Sequence, residues 1–185
     1  MGDVSTLPWS RPLARADLAK MPDDGHRYEL LDGALLVTPA PSYAHQTVVS
    51  RLWRILEEAR PPELRVIIAP FDVVLADDTV LQPDVLVARR RDLTARALPA
   101  APVLAVEVLS PSTRRIDQLL KPSSYAAAGV AHYWVVDPLE PSVLVYELGP
   151  NGFYHEAISV QGDHLLDVQV PFTVSFAPSE LVDDD

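Results

Sequence analysis

The chain has 185 residues, 48% of them hydrophobic, and no cysteine. One domain spanning residues 1–185 with a substantial core is expected; disulfides, thiolate metal sites and cysteine nucleophiles are excluded, so any metal must use oxygen or imidazole ligands, and a reducing cytoplasmic setting fits. A net charge of −11 disfavours a broad electrostatic grip on phosphate backbones, and no apolar run approaches the roughly 20 residues that cross a bilayer, so no membrane partner is expected.

Residues 1–14 are polar and proline-containing, a flexible lead-in without the apolar core of a secretion signal. A short helix over residues 15–20 and a turn at Pro22, Asp23, Asp24 and Gly25 come next. Two apolar-rich strands, 27–31 and 34–38, flank Asp32-Gly33, a strong two-residue hairpin signal. In residues 42–60, Val48, Val49, Leu52, Trp53, Ile55, Leu56 and Ala59 recur at three- and four-residue intervals, while Arg51, Arg54, Glu57 and Glu58 take the other face. That spacing predicts an amphipathic helix packed on a sheet, stopped by Pro61-Pro62. Strand-like runs follow at 64–69, 71–75 and 80–88, the last after an Asp77-Asp78 turn. Residues 102–109 are apolar on both faces, as in a central strand. Ser112 is placed to cap a helix running through Ala126, Ala127 and Ala128 to Gly129, with Pro122 in its middle predicting a kink or break. Strands at 132–136 and 142–148 around Asp137-Pro138, a hairpin at Asn151-Gly152 and a frayed acidic tail at 181–185 complete the chain.

Glu107 is the only charge in the buried run 102–109, where an ionised carboxylate is costly unless paired or coordinated. Asp84 stands in a similar context, the single acid at the start of Val85-Leu86-Val87. Two lone acids on neighbouring strands suggest one shared site, filled either by a divalent cation or by a structural arginine. Two carboxylates plus water suit magnesium, and without a cation one of the two should retain a proton. Between residues 88 and 121 there are seven basic side chains against three acidic ones, enough for a locally basic face on an acidic body.

Pro83-Asp84-Val85, the run Ala105-Val106-Glu107-Val108-Leu109-Ser110-Pro111-Ser112-Thr113-Arg114, Lys121, Tyr125 to Val130 and Tyr133 to Pro138 together resemble the Uma-two family, grouped with the PD-(D/E)xK endonuclease-like fold. Tyr28 to Gly33 and the helix containing His45 extend the resemblance to about residues 27–148. The resemblance implies an α+β fold: a restriction endonuclease-like mixed central sheet flanked by helices, with added N-terminal and C-terminal β-hairpins. It makes Asp84 and Glu107 the metal-binding acids, with the backbone carbonyl of Val108 beside them and Mg2+ as cofactor, Mn2+ as substitute. Leu109 stands where the motif lysine is found in related nucleases, and Lys121 on the following helix takes its place. Glu29, His45, Gln82 and Tyr125 are accessory positions, Arg89, Arg90, Arg91, Arg114 and Arg115 would approach a DNA backbone, and a homodimer is expected.

In an unbroken helix Asp117, Lys121 and Tyr125 share one face, and a break at Pro122 redirects Lys121. The displaced lysine and this proline therefore favour a competing expectation, a catalytically degenerate nuclease-fold protein acting as a nucleic-acid-binding or protein-interaction module. A serine hydrolase is excluded by the absence of a G-x-S-x-G elbow.

Overall fold

In the computed structural model, which describes residues 11–183, the amphipathic segment forms helix α2 (Tyr43–Ala59), and its apolar stripe of Val48, Val49, Leu52 and Leu56 is buried. Ser42 opens the helix by accepting a hydrogen bond from the His45 N–H at 3.3 Å, and Pro61 follows its last turn. The stripe packs on a six-stranded sheet ordered β11-β10-β9-β8-β6-β3, made of β3 (Leu64–Ile68), β6 (Val85–Arg89), β8 (Leu104–Val108), β9 (His132–Asp137), β10 (Ser142–Leu148) and β11 (Tyr154–Gln161). Only β8 and β9 pair in parallel in this sheet, and every residue of β8 is buried. The opposite face carries Tyr125 and Val130 against Ala105, Leu109, Tyr133 and Val135. Helices therefore cover both faces of a mixed central sheet, as the sequence leads one to expect.

A second, five-stranded sheet is ordered β2-β1-β5-β4-β7, with β1 (Arg27–Leu31), β2 (Ala34–Thr38), β4 (Asp72–Ala76), β5 (Thr79–Leu81) and β7 (Ala97–Leu98). Its first hairpin turns at Asp32 and Gly33, with φ values of 51° and 77°, the paired left-handed conformation of a tight two-residue turn. The C-terminal hairpin β10-β11 extends the central sheet, and β12 (Leu166–Val168) with β13 (Val174–Phe176) forms a separate pair that buries Leu166, Val174 and Phe176 in the cluster beneath α2.

Three expectations need correction. Residues 80–88 are not one strand: β5 and β6 belong to different sheets, joined by Gln82-Pro83-Asp84. Pro83 has no N–H, the Gln82 N–H is taken by Glu29 Oε1 at 2.7 Å, and the Asp84 carbonyl accepts from Ala69 N–H at 3.1 Å, so these groups stay paired where the backbone crosses between sheets. The break expected at Pro122 is present, and the segment from Ser112 to Gly129 forms two helices, α3 (Arg114–Leu119) and α4 (Lys121–Ala127). Pro122 lies in the first turn of α4, where its missing N–H costs nothing. Ser112 caps neither; the Thr113 N–H reaches Ser110 Oγ at 3.3 Å. The ends are also less loose than expected. Leu13 is buried beside Leu30 and Val80, after a short helix α1 (Arg15–Leu18) follows it, while Leu181 is buried and Asp183 pairs with Arg51 on α2. Residues 1–10 of the expected lead-in and 184–185 of the expected tail lie outside the described residues.

Gly33 tests the hairpin. A Cβ there would lie 2.5 Å from Pro12 Cβ on a backbone with φ of 77°, so Gly33→Ala is expected to lower unfolding free energy by more than about 1 kcal/mol in urea titrations. An unchanged midpoint would mean that the lead-in packs differently.

Candidate active site

β8 delivers Glu107 to the α3–α4 face of the central sheet, where it is fully buried. The break between the helices turns Lys121 inward, not outward. Its Nζ lies 2.9 Å from Glu107 Oε1, 3.1 Å from Asp117 Oδ1 and 3.4 Å from Glu29 Oε1. Tyr125, one turn along α4, donates its hydroxyl to the same Glu107 oxygen at 3.0 Å. Glu107 Oε2 is buried with no hydrogen-bond partner among the described residues.

Asp84 sits at the crossover between the sheets and faces a different set of groups. Arg27 Nη1 donates to its Oδ1 at 2.9 Å, while His45 Nε2 and the Val108 N–H approach its Oδ2 at 3.1 and 2.9 Å. The N–H and C=O of a strand residue point to the same side, so the Val108 carbonyl also faces the Asp84 edge. Glu29, besides accepting from Gln82, has its Oε2 3.7 Å from Arg27 Nε. Gln82 turns its amide to Asp72 Oδ1 at 2.8 Å.

Asp84, His45, Arg27 and Gln82 line a cleft of about 850 Å³ that is also walled by Arg96 and the hydroxyl-bearing segment Ser110 to Thr113. Glu107, Lys121, Glu29 and Asp117 lie buried outside that lining. The four acids Asp84, Glu107, Glu29 and Asp117 are buried against the two cations Arg27 and Lys121, so that full ionisation of all four would leave an excess of two negative charges before His45 is considered.

This imbalance divides the acids. Burial works to raise the Asp84 carboxyl, but the His45 hydrogen bond and the charges of Arg27, His45 and Lys121 outweigh it and hold the group at about 2. For Glu107 burial dominates, and Lys121 cannot offset it against Asp117, Asp84 and Glu29, so the group is raised well above the usual carboxylate range. Asp117 is raised for the same first reason. Burial would discharge Lys121, but its carboxylate neighbours overcome this and keep it cationic.

The donor set fits a hard divalent cation on two grounds: the four buried acids outnumber the two cations paired with them, and Glu107 Oε2 is buried with no donor among the described residues. Asp84, Glu107 and the Val108 carbonyl are the groups that would hold it. Among the described residues no set of three His, Asp or Glu side chains is arranged as a metal cage, and most of the coordination would fall to water, as magnesium prefers.

Of the positions singled out from sequence, Asp84, Glu107, Val108, Lys121, Tyr125, Glu29, His45 and Gln82 converge here. Arg89, Arg90 and Arg91 do not. They stand at the far end of β6, five strand residues or about 16 Å from Asp84. Arg115 is exposed just beyond the cleft segment Ser110 to Thr113, and Arg114 pairs with Asp137 at 2.7 Å. Sequence reasoning missed Arg27 and, although it placed Asp117 on one helix face with Lys121 and Tyr125, did not assign Asp117 to the site. Asp117 was signalled by its four-residue spacing from Lys121, and Arg27 by its sharing a strand face with Glu29 two residues on.

The chain matches the family Uma2, described as "Putative restriction endonuclease", over residues 15–179. Among solved structures it is similar to a "putative nuclease belonging to DUF820" from Anabaena variabilis, at 19% sequence identity and a TM-score of 0.73, over 92% of this chain and 97% of that one. That likeness shows the fold. No curated protein matches the chain.

The divided acids predict a pH signature. Because Glu107 binds its proton more tightly folded than unfolded, the cost of ionising it accumulates as pH rises above the usual 4.5. Asp84 behaves oppositely, its contribution being present above 3.8 and lost as pH falls toward about 2. In metal-free buffer, wild-type stability from urea titrations should decline as pH rises above the usual carboxylate range, and Glu107→Gln should flatten that decline. An equal slope in the two proteins would show that Glu107 is not raised.

Proposed function

Because the chain belongs to the Uma2 family, we propose that it is a divalent-cation-dependent hydrolase that cuts DNA phosphodiester bonds at the cleft bounded by Asp84, with magnesium as cofactor and manganese as substitute. The observation that carries this is the cluster of four buried acids beside an open cleft: with only Arg27 and Lys121 against them, the four are unfavourable to bury fully ionised unless a further cation completes the charge. A bound cation would supply Lewis-acid polarisation of a phosphoryl oxygen and a hydroxide at neutral pH. The protein's own groups do the positioning. Asp84 is oriented by His45 and the Val108 N–H, Glu107 by Lys121 and Tyr125. Lys121 is too deeply buried to meet substrate directly, so its part is to hold Glu107 and offset charge. Arg96 and the hydroxyls of Ser110, Ser112 and Thr113 line the cleft where a phosphate would enter, with Arg115 just beyond. A cytoplasmic homodimer is the form this function assigns, on the family resemblance.

One observation favours the competing possibility, a nuclease fold that binds without cutting: both Asp84 oxygens already have protein donors. Cleavage of supercoiled and linear DNA separates the two. Cutting should require Mg2+ or Mn2+, stop with a chelator, and fall on the order of a hundredfold or more in Asp84→Asn and Glu107→Gln. Cutting that survives both substitutions removes the site assignment; no cutting under any cation favours the binding module.

Lys121 supplies a second test. Lys121→Met leaves Glu107, Glu29 and Asp117 without their shared cation, and unfolding free energy should fall by about 3–5 kcal/mol, with part of the loss restored by millimolar magnesium. Stability close to wild type would mean that the three acids are neutral in the folded protein.

A further inference from the structure

Arg27 is assigned no role in the chemistry above, yet it holds the oxygen that a cation would need. Its Nη1 donates to Asp84 Oδ1 at 2.9 Å and reaches the Gln82 carbonyl at 3.3 Å, and its Nε lies 3.3 Å from Thr38 Oγ1 and 3.7 Å from Glu29 Oε2. The Asp84 Oδ2 is already shared by His45 and the Val108 N–H. Oδ1 is thus the remaining coordination position of Asp84, and Arg27 occupies it.

The two cations of the cluster differ in what they can do next. The Lys121 side chain is 2% exposed and enclosed by three carboxylates. The Arg27 side chain is 20% exposed and lines the cleft, and its Nη2 makes no hydrogen bond to the described residues. A guanidinium that keeps a terminal nitrogen unbonded at the wall of a cleft can shift its fork without leaving the site, and planar paired donors match a phosphate better than an ammonium does.

We propose that Arg27 is a resident counter-ion that competes with the divalent cation for Asp84 and, once displaced, presents its guanidinium to a substrate phosphate in the cleft. The inference rests on the function proposed above and assigns this arginine as a substrate-binding residue. It also accounts for the lack of a three-ligand cage among the described residues: the acids are arranged around protein cations, which keep them assembled before a metal arrives. Charge balance supports the exchange. A divalent ion entering while Arg27 stays against Asp84 and Glu29 would meet a like charge a few ångströms away, and moving the guanidinium outward relieves that repulsion.

The test is Mn2+ binding by calorimetry to the full chain without DNA, comparing wild type with Arg27→Met and Arg27→Gln. Both variants should bind Mn2+ tighter, by about tenfold or more from the lost like charge, because the competing cation is gone. Arg27→Gln retains an N–H for Asp84 and keeps the test open should Arg27→Met fail to fold by circular dichroism. A purely structural arginine predicts the reverse, equal or weaker metal binding in the variants, and that outcome overturns the proposal while leaving the nuclease function standing. If neither wild type nor variants bind Mn2+, both fall. With Mn2+ bound, affinity for a phosphorothioate oligonucleotide should drop at least fivefold in the variants; an unchanged affinity would overturn the phosphate-binding half.

Discussion

The ammonium of Lys121, buried among Glu107, Asp117 and Glu29, is the interaction on which the arrangement depends. Removing charges from water is expensive, and their mutual attraction compensates only when geometry is good and the remaining lone pairs are satisfied. Here the partners come from separate parts of the chain: Glu29 from β1 in the five-stranded sheet, Glu107 from β8 in the six-stranded sheet, Asp117 from α3 and the lysine from α4. None of these charges is tolerable in its place until the others arrive. The cluster therefore couples the docking of the two sheets to the packing of the helix pair, and residues 82–84, which pass from one sheet to the other, carry Asp84 into the same field.

The proline beside the lysine is best understood in that light. Within a single continuous helix Pro122 would cost roughly 3 kcal/mol through a lost hydrogen bond and a steric clash. Ending α3 at Leu119 and starting α4 at Lys121 removes both problems. It also leaves Leu119 and Leu120 on the outside, 66% and 51% exposed, while Lys121 turns in. Two exposed leucines followed by a buried lysine reverse the usual preference of these residues, a local arrangement that makes sense only because three carboxylates wait beneath α4.

Much of this was legible before any coordinates. Glu107 inside an uninterrupted apolar strand and Asp84 at the head of another announced themselves by the cost of burying them, and α2 and the Asp32-Gly33 hairpin followed from periodicity and turn chemistry. The illegible parts share a cause, which is that they depend on which strands become neighbours. Thr79 to Arg89 is apolar on both sides of Pro83, so nothing in its pattern says that two sheets divide it. Arg27 opens an ordinary hairpin strand, and its partner Asp84 lies 57 positions away. Conversely, Arg89, Arg90 and Arg91 are close in sequence to the site acids but at the wrong end of the strand. Proximity along a strand reverses into distance because successive residues advance along it by about 3.3 Å.

This relocation of charge changes the meaning of the net −11. Affinity for a nucleic-acid backbone scales with the number of phosphates neutralised, and an acidic surface opposes a wide footprint. The positive groups that do line the cleft are few, Arg15, Arg27 and Arg96 with the imidazoles of His26 and His45, and the acids Asp23, Asp72 and Asp84 stand among them. Such a cleft has little attraction for polyanions at a distance. Under the proposed function, its electrostatics would become favourable to a phosphate only when a cation offsets the buried carboxylates, and metal occupancy and nucleic-acid binding would then be linked by charge. An acidic protein with a carboxylate-rich core of this kind would hold DNA through a small number of contacts at one phosphate, and the acidity that argues against general DNA binding is then what makes binding conditional on the metal.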